Sequence, residues 1–175
     1  MFTIGTAFTL FSIFMRLLPH PPNAAPVAAL ALFAGVCFGK RWGWALPVTA
    51  MLVSDFFIGF YDLRLMAVVY ASLLFPFLIG RALRRNTALV SVFAGSLSGS
   101  IFFFLTTNLA VWSLSDWYPH TAHGLVLSYV AGLPFFRNTL AGDLVYTAFF
   151  FGAYATLPFL KRVFSSLAAS LKIGR

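Results

Sequence analysis

The chain has 175 residues, of which 61% are hydrophobic and only 9% charged, and its mean hydropathy is +0.91. A soluble domain carries roughly a quarter charged residues, so this composition excludes an ordinary water-soluble fold and points to an integral membrane protein. The net charge of +8 does not indicate nucleic-acid binding, because the basic residues stand in separate clusters beside apolar runs and form no groove-tracking patch.

Six apolar runs follow along the chain, at residues 2–18, 24–39, 42–60, 65–80, 87–114 and 139–160. A membrane-spanning helix needs about 20 residues. The third and sixth runs fit that length, the second and fourth are short, and the fifth is long enough to tilt or protrude. The first run has neither a basic start nor a small-residue cleavage site, so it reads as a retained span and not as a signal peptide. Residues 125–137 are apolar but too few to cross, and Gly132 and Pro134 interrupt them. They are expected to form a short interfacial or re-entrant helix on the outer side, before the last span. The fold class is therefore an all-α, six-helix transmembrane bundle. One domain covers residues 1–162, and a basic cytoplasmic tail, 163–175, lies on the inner leaflet.

Charge orients the bundle. Lys40, Arg41, Arg81, Arg84, Arg85, Lys161, Arg162, Lys172 and Arg175 all fall on one set of alternate connections; the other set holds Arg16, Arg64 and Arg137. The positive-inside rule makes the richer side cytoplasmic and places both termini there. All four acids (Asp55, Asp62, Asp116 and Asp143) and all three histidines then lie toward the outer side. Trp42 and Trp44 mark the inner interface; Tyr61, Trp112, Trp117 and Tyr118 mark the outer one. In the fifth run Ala94 with Ser98, Gly95 with Gly99 and Ser96 with Ser100 repeat small residues at intervals of four, as do Ala31, Gly35 and Gly39 in the second. That spacing lets helix backbones approach closely.

Counted from the ends of these runs at 1.5 Å per residue, Asp55 lies about 8 Å deep, Asp143 about 6 Å and Asn108 about 9 Å. A carboxylate within a membrane faces the bundle interior, a cavity or a cation. Arg16 and Arg137 stand at matching depth as partners. Asp143 also follows Asn138 and Thr139 close to a helix start, where the dipole favours a negative charge. The connection at 19–26, which carries His20, Asn23 and four prolines, is stiff enough to cap a cavity walled by Asp55, Asn108, Asn138 and Asp143. His120 and His123 are three apart beside Asp116, a spacing that suits a surface metal site only with a third ligand. Cys37 reads as a small packing residue. No phosphate-binding loop, dinucleotide fingerprint, HExxH or GxSxG motif occurs, so neither an enzyme, a cofactor nor an energy source is expected in this chain.

The run RLLPHPPNAAPVAALALFAG from Arg16 to Gly35, the pair Ser54-Asp55, TNLAVW at 107–112, HGL at 123–125 and GLPFFRNTLAGD at 132–143 resemble an uncharacterised family of small bacterial membrane proteins. More distantly, the layout is similar to the S components, the substrate-binding subunits, of energy-coupling-factor (ECF) vitamin transporters. That resemblance implies capture of a small micronutrient near the outer face of the bacterial inner membrane, under the loop between spans one and two. Arg16, Asn23, Asp55, Asn108, Arg137, Asn138 and Asp143 are the expected binding residues, and a separate ATPase and coupling module the expected partner. S components dock through an Ala-xxx-Ala pattern in span one; this chain offers Gly5 and Thr9 there. A membrane scaffold and a gradient-driven carrier are the alternatives.

Overall fold

In the structure, a computed structural model, the backbone of residues 2–38 and 42–173 and the side chains of residues 3–38 and 42–157 are described. Among these residues every regular element is α-helical: α1 (Phe2–Leu17), α2 (Val27–Phe38), α3 (Ala45–Ile58), α4 (Leu63–Ser72), α5 (Leu74–Leu83), α6 (Leu89–Leu114) and α7 (Ala122–Ile173). Three stretches are long and apolar enough to cross a membrane: Leu63–Leu83, Leu89–Leu114 and Ala122–Leu157. The helices of the first three runs are apolar but shorter. Gly39, Lys40 and Arg41, the side chains of Lys161, Arg162 and Lys172, Arg175, and the amphipathic face expected of the tail lie outside the described residues.

The second run is apolar all round, and a helix of that kind belongs in the middle of a bundle. α2 sits there, with Ala29 through Ala34 at most 1% exposed and with α1, α3, α5, α6 and α7 packed around it. Its closest neighbour is α5. A Cβ on Gly35 would overlap the Phe77 carbonyl oxygen, and one on Gly80 would overlap the Leu32 carbonyl oxygen. Two facing glycines thus bring the backbones together, the packing that replaces hydrophobic driving force inside a membrane. Around the other face of α2, Phe8, Phe11, Phe33, Phe149, Phe150, Phe151 and Tyr154 interlock through edge, tilted and stacked ring contacts. Phe14, Phe56 and Phe57 point outward, as do Leu63, Leu78, Leu89 and Val145, the surface of a bundle immersed in lipid.

Two elements differ from the sequence expectation. The fourth run is a rod broken at Leu73. Pro76 has no N–H to give the Ser72 carbonyl, and its ring crowds that oxygen, so α4 stops and α5 restarts with Pro76 in its first turn. The second difference is larger. Residues 125–137 form no separate interfacial helix; they are the N-terminal part of α7, which runs unbroken through Gly132 and Pro134. They lie alongside the C-terminal half of α6. The Tyr129 hydroxyl donates to the Leu105 carbonyl at 3.0 Å, Phe136 packs on Phe104, and Gly132 leaves the space in which the Asn108 side chain sits. Gly132 is therefore a contact residue and not a breaker. Pro134 is tolerated because packing against α6 holds the segment helical, as in many membrane helices.

The small residues of α6 divide between two neighbours. Gly95 faces Ile79 and Leu83, Gly99 faces Pro76, and Ser96 and Ser100 turn toward α7. Ala94 and Ser98 point outward.

Candidate functional site

α1 carries Arg16 in its last turn, and α3 carries Ser54 and Asp55 in its last turns before Gly59 (φ 113°) stops it. The two helices pack so that Arg16 Nη2 donates to Asp55 Oδ1 at 2.8 Å. Arg16 Nη1 reaches the Ser54 hydroxyl and the Met51 carbonyl. The second carboxylate oxygen accepts from the Tyr70 hydroxyl of α4 at 2.7 Å. The Asp55 side chain is 2% exposed and that of Arg16 15%. This is a buried ion pair with both carboxylate oxygens satisfied, and its net charge is zero.

Asp143 is arranged differently. It is 2% exposed, and its Oδ2 accepts from the Ser100 hydroxyl at 2.7 Å. No Lys, Arg or His stands within ion-pair distance of it among the described residues. Four residues on, the buried Thr147 hydroxyl donates to Ser96 Oγ at 3.1 Å, so a polar seam joins the middles of α6 and α7. Ser100 stands fourteen residues from the end of α6 at Leu114, or about 21 Å at 1.5 Å per residue. Asp143 is thus far deeper than the 6 Å read from the sequence, and it is not near a helix start. Both corrections follow from α7 beginning at Ala122.

Between these groups lies a cavity of about 360 Å³. Arg16, Asn23, Thr107, Thr139 and Asp143 give it polar wall; Met51, Val69, Leu73, Phe103 and Val111 give it apolar wall; His20, Asn23 and Tyr61 stand at its mouth. A side pocket of about 290 Å³ shares Asn23, Phe103, Thr107, Val111 and Thr139 and extends to Asn108 and Trp117. The cap is shaped by its sequence. Ala24 N–H donates to the Pro21 carbonyl at 3.0 Å, with Pro22 and then Asn23 (φ 65°) between them, the residue order of a type II turn. Gly142 of α7 lets Ala24 rest directly on that helix. Burial, and next the negative charge of Asp55, push the Tyr61 phenol up to about 12 against the opposing effect of Arg16. Tyr61 is therefore a neutral hydrogen-bond donor at the mouth.

Residues 1–167 match a family of unknown function (DUF6580). The chain belongs to DUF6580. No curated protein and no solved structure matches it.

Of the residues expected to bind, the DUF6580 chain places Arg16, Asn23 and Asp143 on the main cavity and Asn108 on the side pocket. Asp55 stands behind Arg16. Asn108 is partly spent on its own helix, with Nδ2 donating to the Phe104 carbonyl at 2.8 Å. Arg137 is exposed on α7 and pairs with neither Asp55 nor Asp143, and Asn138 is only half-buried and lines neither cavity. Both fall on turns of α7 facing away from the cavity, because one continuous helix sets their direction from Gly132 and Asp143. His20 holds the Leu18 carbonyl through Nδ1 at 2.7 Å. His120 rests on Trp112, and among the described residues no three His, Cys, Asp or Glu side chains gather to hold a metal. Tyr70 and Ser100 were missed as partners of the two carboxylates. Nothing in the sequence links Tyr70 to Asp55, whereas Ser100 is visible only as one of the small residues.

Proposed function

We propose that this protein is a membrane subunit that captures a small micronutrient-like molecule from the outer side, with six passes and both termini cytoplasmic. The observation that carries this reading is the cavity beneath the proline-stiffened connection, mostly apolar with a few convergent polar groups. Its volume of about 360 Å³ sits at the small end of the range for small-molecule sites, about 300–1,000 Å³. The layout fits the S-component resemblance, in which the connection between the first two spans covers the ligand. The chain has no nucleotide-binding motif, so uptake would draw on separate ATPase and coupling subunits.

Native mass spectrometry of the protein extracted gently from its host membrane tests the reading. A stoichiometric small molecule, lost when Ala28→Trp or Val111→Trp fills the cavity, is the expected result. An empty cavity together with co-purified membrane proteins would replace capture by the scaffold reading. That second reading draws on the outward row of Ala94 and Ser98, a small-residue face left free for another helix. Its distinguishing variants are Ala94→Leu and Ser98→Leu, since Gly95 and Gly99 are occupied within the bundle. A gradient-driven carrier would instead move its substrate in proteoliposomes without any other subunit.

A further inference from the structure

We propose that the molecule held in the main cavity presents a cationic or strongly donating nitrogen to Asp143, on a flat apolar body. This inference rests on the capture reading and specifies its ligand. The charge balance of the site carries it. Arg16 is the cation on the cavity wall, and its charge is cancelled by Asp55, 2.8 Å away. Asp143 also lines the cavity, is 2% exposed, and has a single hydroxyl bonded to it. A carboxyl buried within a bundle takes up a proton, or keeps its charge beside a cation or several donors; Ser100 supplies one donor, and a ligand nitrogen would supply the rest. The protein thus leaves a carboxyl group without a cationic partner on the wall of a chamber whose Arg16 is already paired.

The walls describe the rest of the ligand. Phe103 and Tyr61 present aromatic side chains, and Val69, Leu73, Ala110 and Val111 present aliphatic ones. Aromatic faces attract cations, more strongly where water is excluded. A flat cation such as an amidine or an amino-substituted nitrogen heterocycle satisfies both features. One carboxylate and one hydroxyl are a thin ligand set for a metal ion, which takes several oxygen or nitrogen donors.

Three probes of one size and shape separate the possibilities: benzamidine, a cation; benzamide, a neutral donor; and benzoate, an anion. Each is titrated by intrinsic tryptophan fluorescence and thermal shift against the detergent-solubilised protein, its Asp143→Asn variant and its Ser100→Ala variant. The expected order is benzamidine, then benzamide, then benzoate, with benzamidine at least tenfold tighter than benzoate. That preference disappears in Asp143→Asn and persists in Ser100→Ala, which keeps the carboxylate should Asp143→Asn fail to fold. Benzoate binding as tightly as benzamidine would overturn the inference and leave capture standing, with Arg16 and the start of α2 then controlling selectivity. A co-purified molecule without a donor nitrogen would do the same. No response to any probe, with no co-purified molecule, would overturn both.

Discussion

Asp55 and Arg16 form a pair whose two halves differ in their access to water, and that asymmetry yields a quantitative prediction. In Arg16→Met the Asp55 carboxylate stays 2% exposed with Tyr70 as its remaining strong donor. Removing one member of a buried pair costs about 3–5 kcal/mol, because the other charge is left uncompensated. In Asp55→Leu the orphan is Arg16, already 15% exposed and at the end of α1. Its long stem can carry the guanidinium outward to the headgroup region, so this variant loses less. The double variant Arg16→Met/Asp55→Leu buries no charge and is expected to be more stable than Arg16→Met alone. Tyr70→Phe removes one bond to a charged acceptor, worth about 1.5–3 kcal/mol. The assay is reversible unfolding in mixed micelles, followed by tryptophan fluorescence. Equal losses in the two single variants, or a double variant whose loss is their sum, would refute a buried charge pair as the basis of this contact.

Gly80→Leu is expected to abolish the folded bundle, and Gly35→Leu likewise, since each drives a side chain into a facing backbone carbonyl; a normal thermal transition for either would remove the α2–α5 contact from the argument. Gly59 has open space around it but a φ of 113°, so Gly59→Ala should cost about 1–3 kcal/mol through backbone strain alone. Gly152 has equally open space and ordinary helical geometry, so Gly152→Ala should instead stabilise by about 0.5–1 kcal/mol. These opposite signs are read from the same unfolding assay. Asp62 caps α4 by accepting from the Arg64 and Leu65 amides. Its hydrogen bonds to Arg64 and to the amides hold its carboxyl below the usual range. A group shifted this way stabilises above its unfolded value and loses that contribution as the pH falls through the lowered one. Acidification should therefore loosen the start of α4, seen as faster amide exchange at Arg64 and Leu65, and Asp62→Asn should remove that pH dependence.

Each apolar run falls on helix, because length and hydrophobicity are local properties, although the break at Leu73 and the start of α7 at Ala122 are not read from them. The alternation of charge likewise anticipated that the connections carrying Asn23, Tyr61 and Trp117 gather at one end. What the sequence concealed were relations between rods. Gly132 and Pro134 look like breakers until Asn108 is seen to occupy the space that Gly132 leaves. Treating them as breakers moved the start of the last helix to Thr139 and Asp143 toward the surface. That one displacement also produced the pairing with Arg137, which a continuous helix turns outward. Asp55 was recognised as an interior carboxylate from its cost alone. Its second partner, Tyr70, comes from a different helix whose rotation no one-dimensional pattern records.

The unbroken course of α7 has a mechanical consequence. From Asp143 to Ile173 the backbone is one helix of thirty further residues, about 45 Å long. A helix of that length behaves as a stiff rod, so a rotation imposed at one end is displayed, enlarged, at the other. A tilt of about 3° around the Ser100 contact would carry the far end by about 2 Å over that length. The wall of the chamber at Asp143 and the far end of the helix are in this way written on a single element, and no chain of intermediate contacts is needed for a shift at one to be displayed at the other.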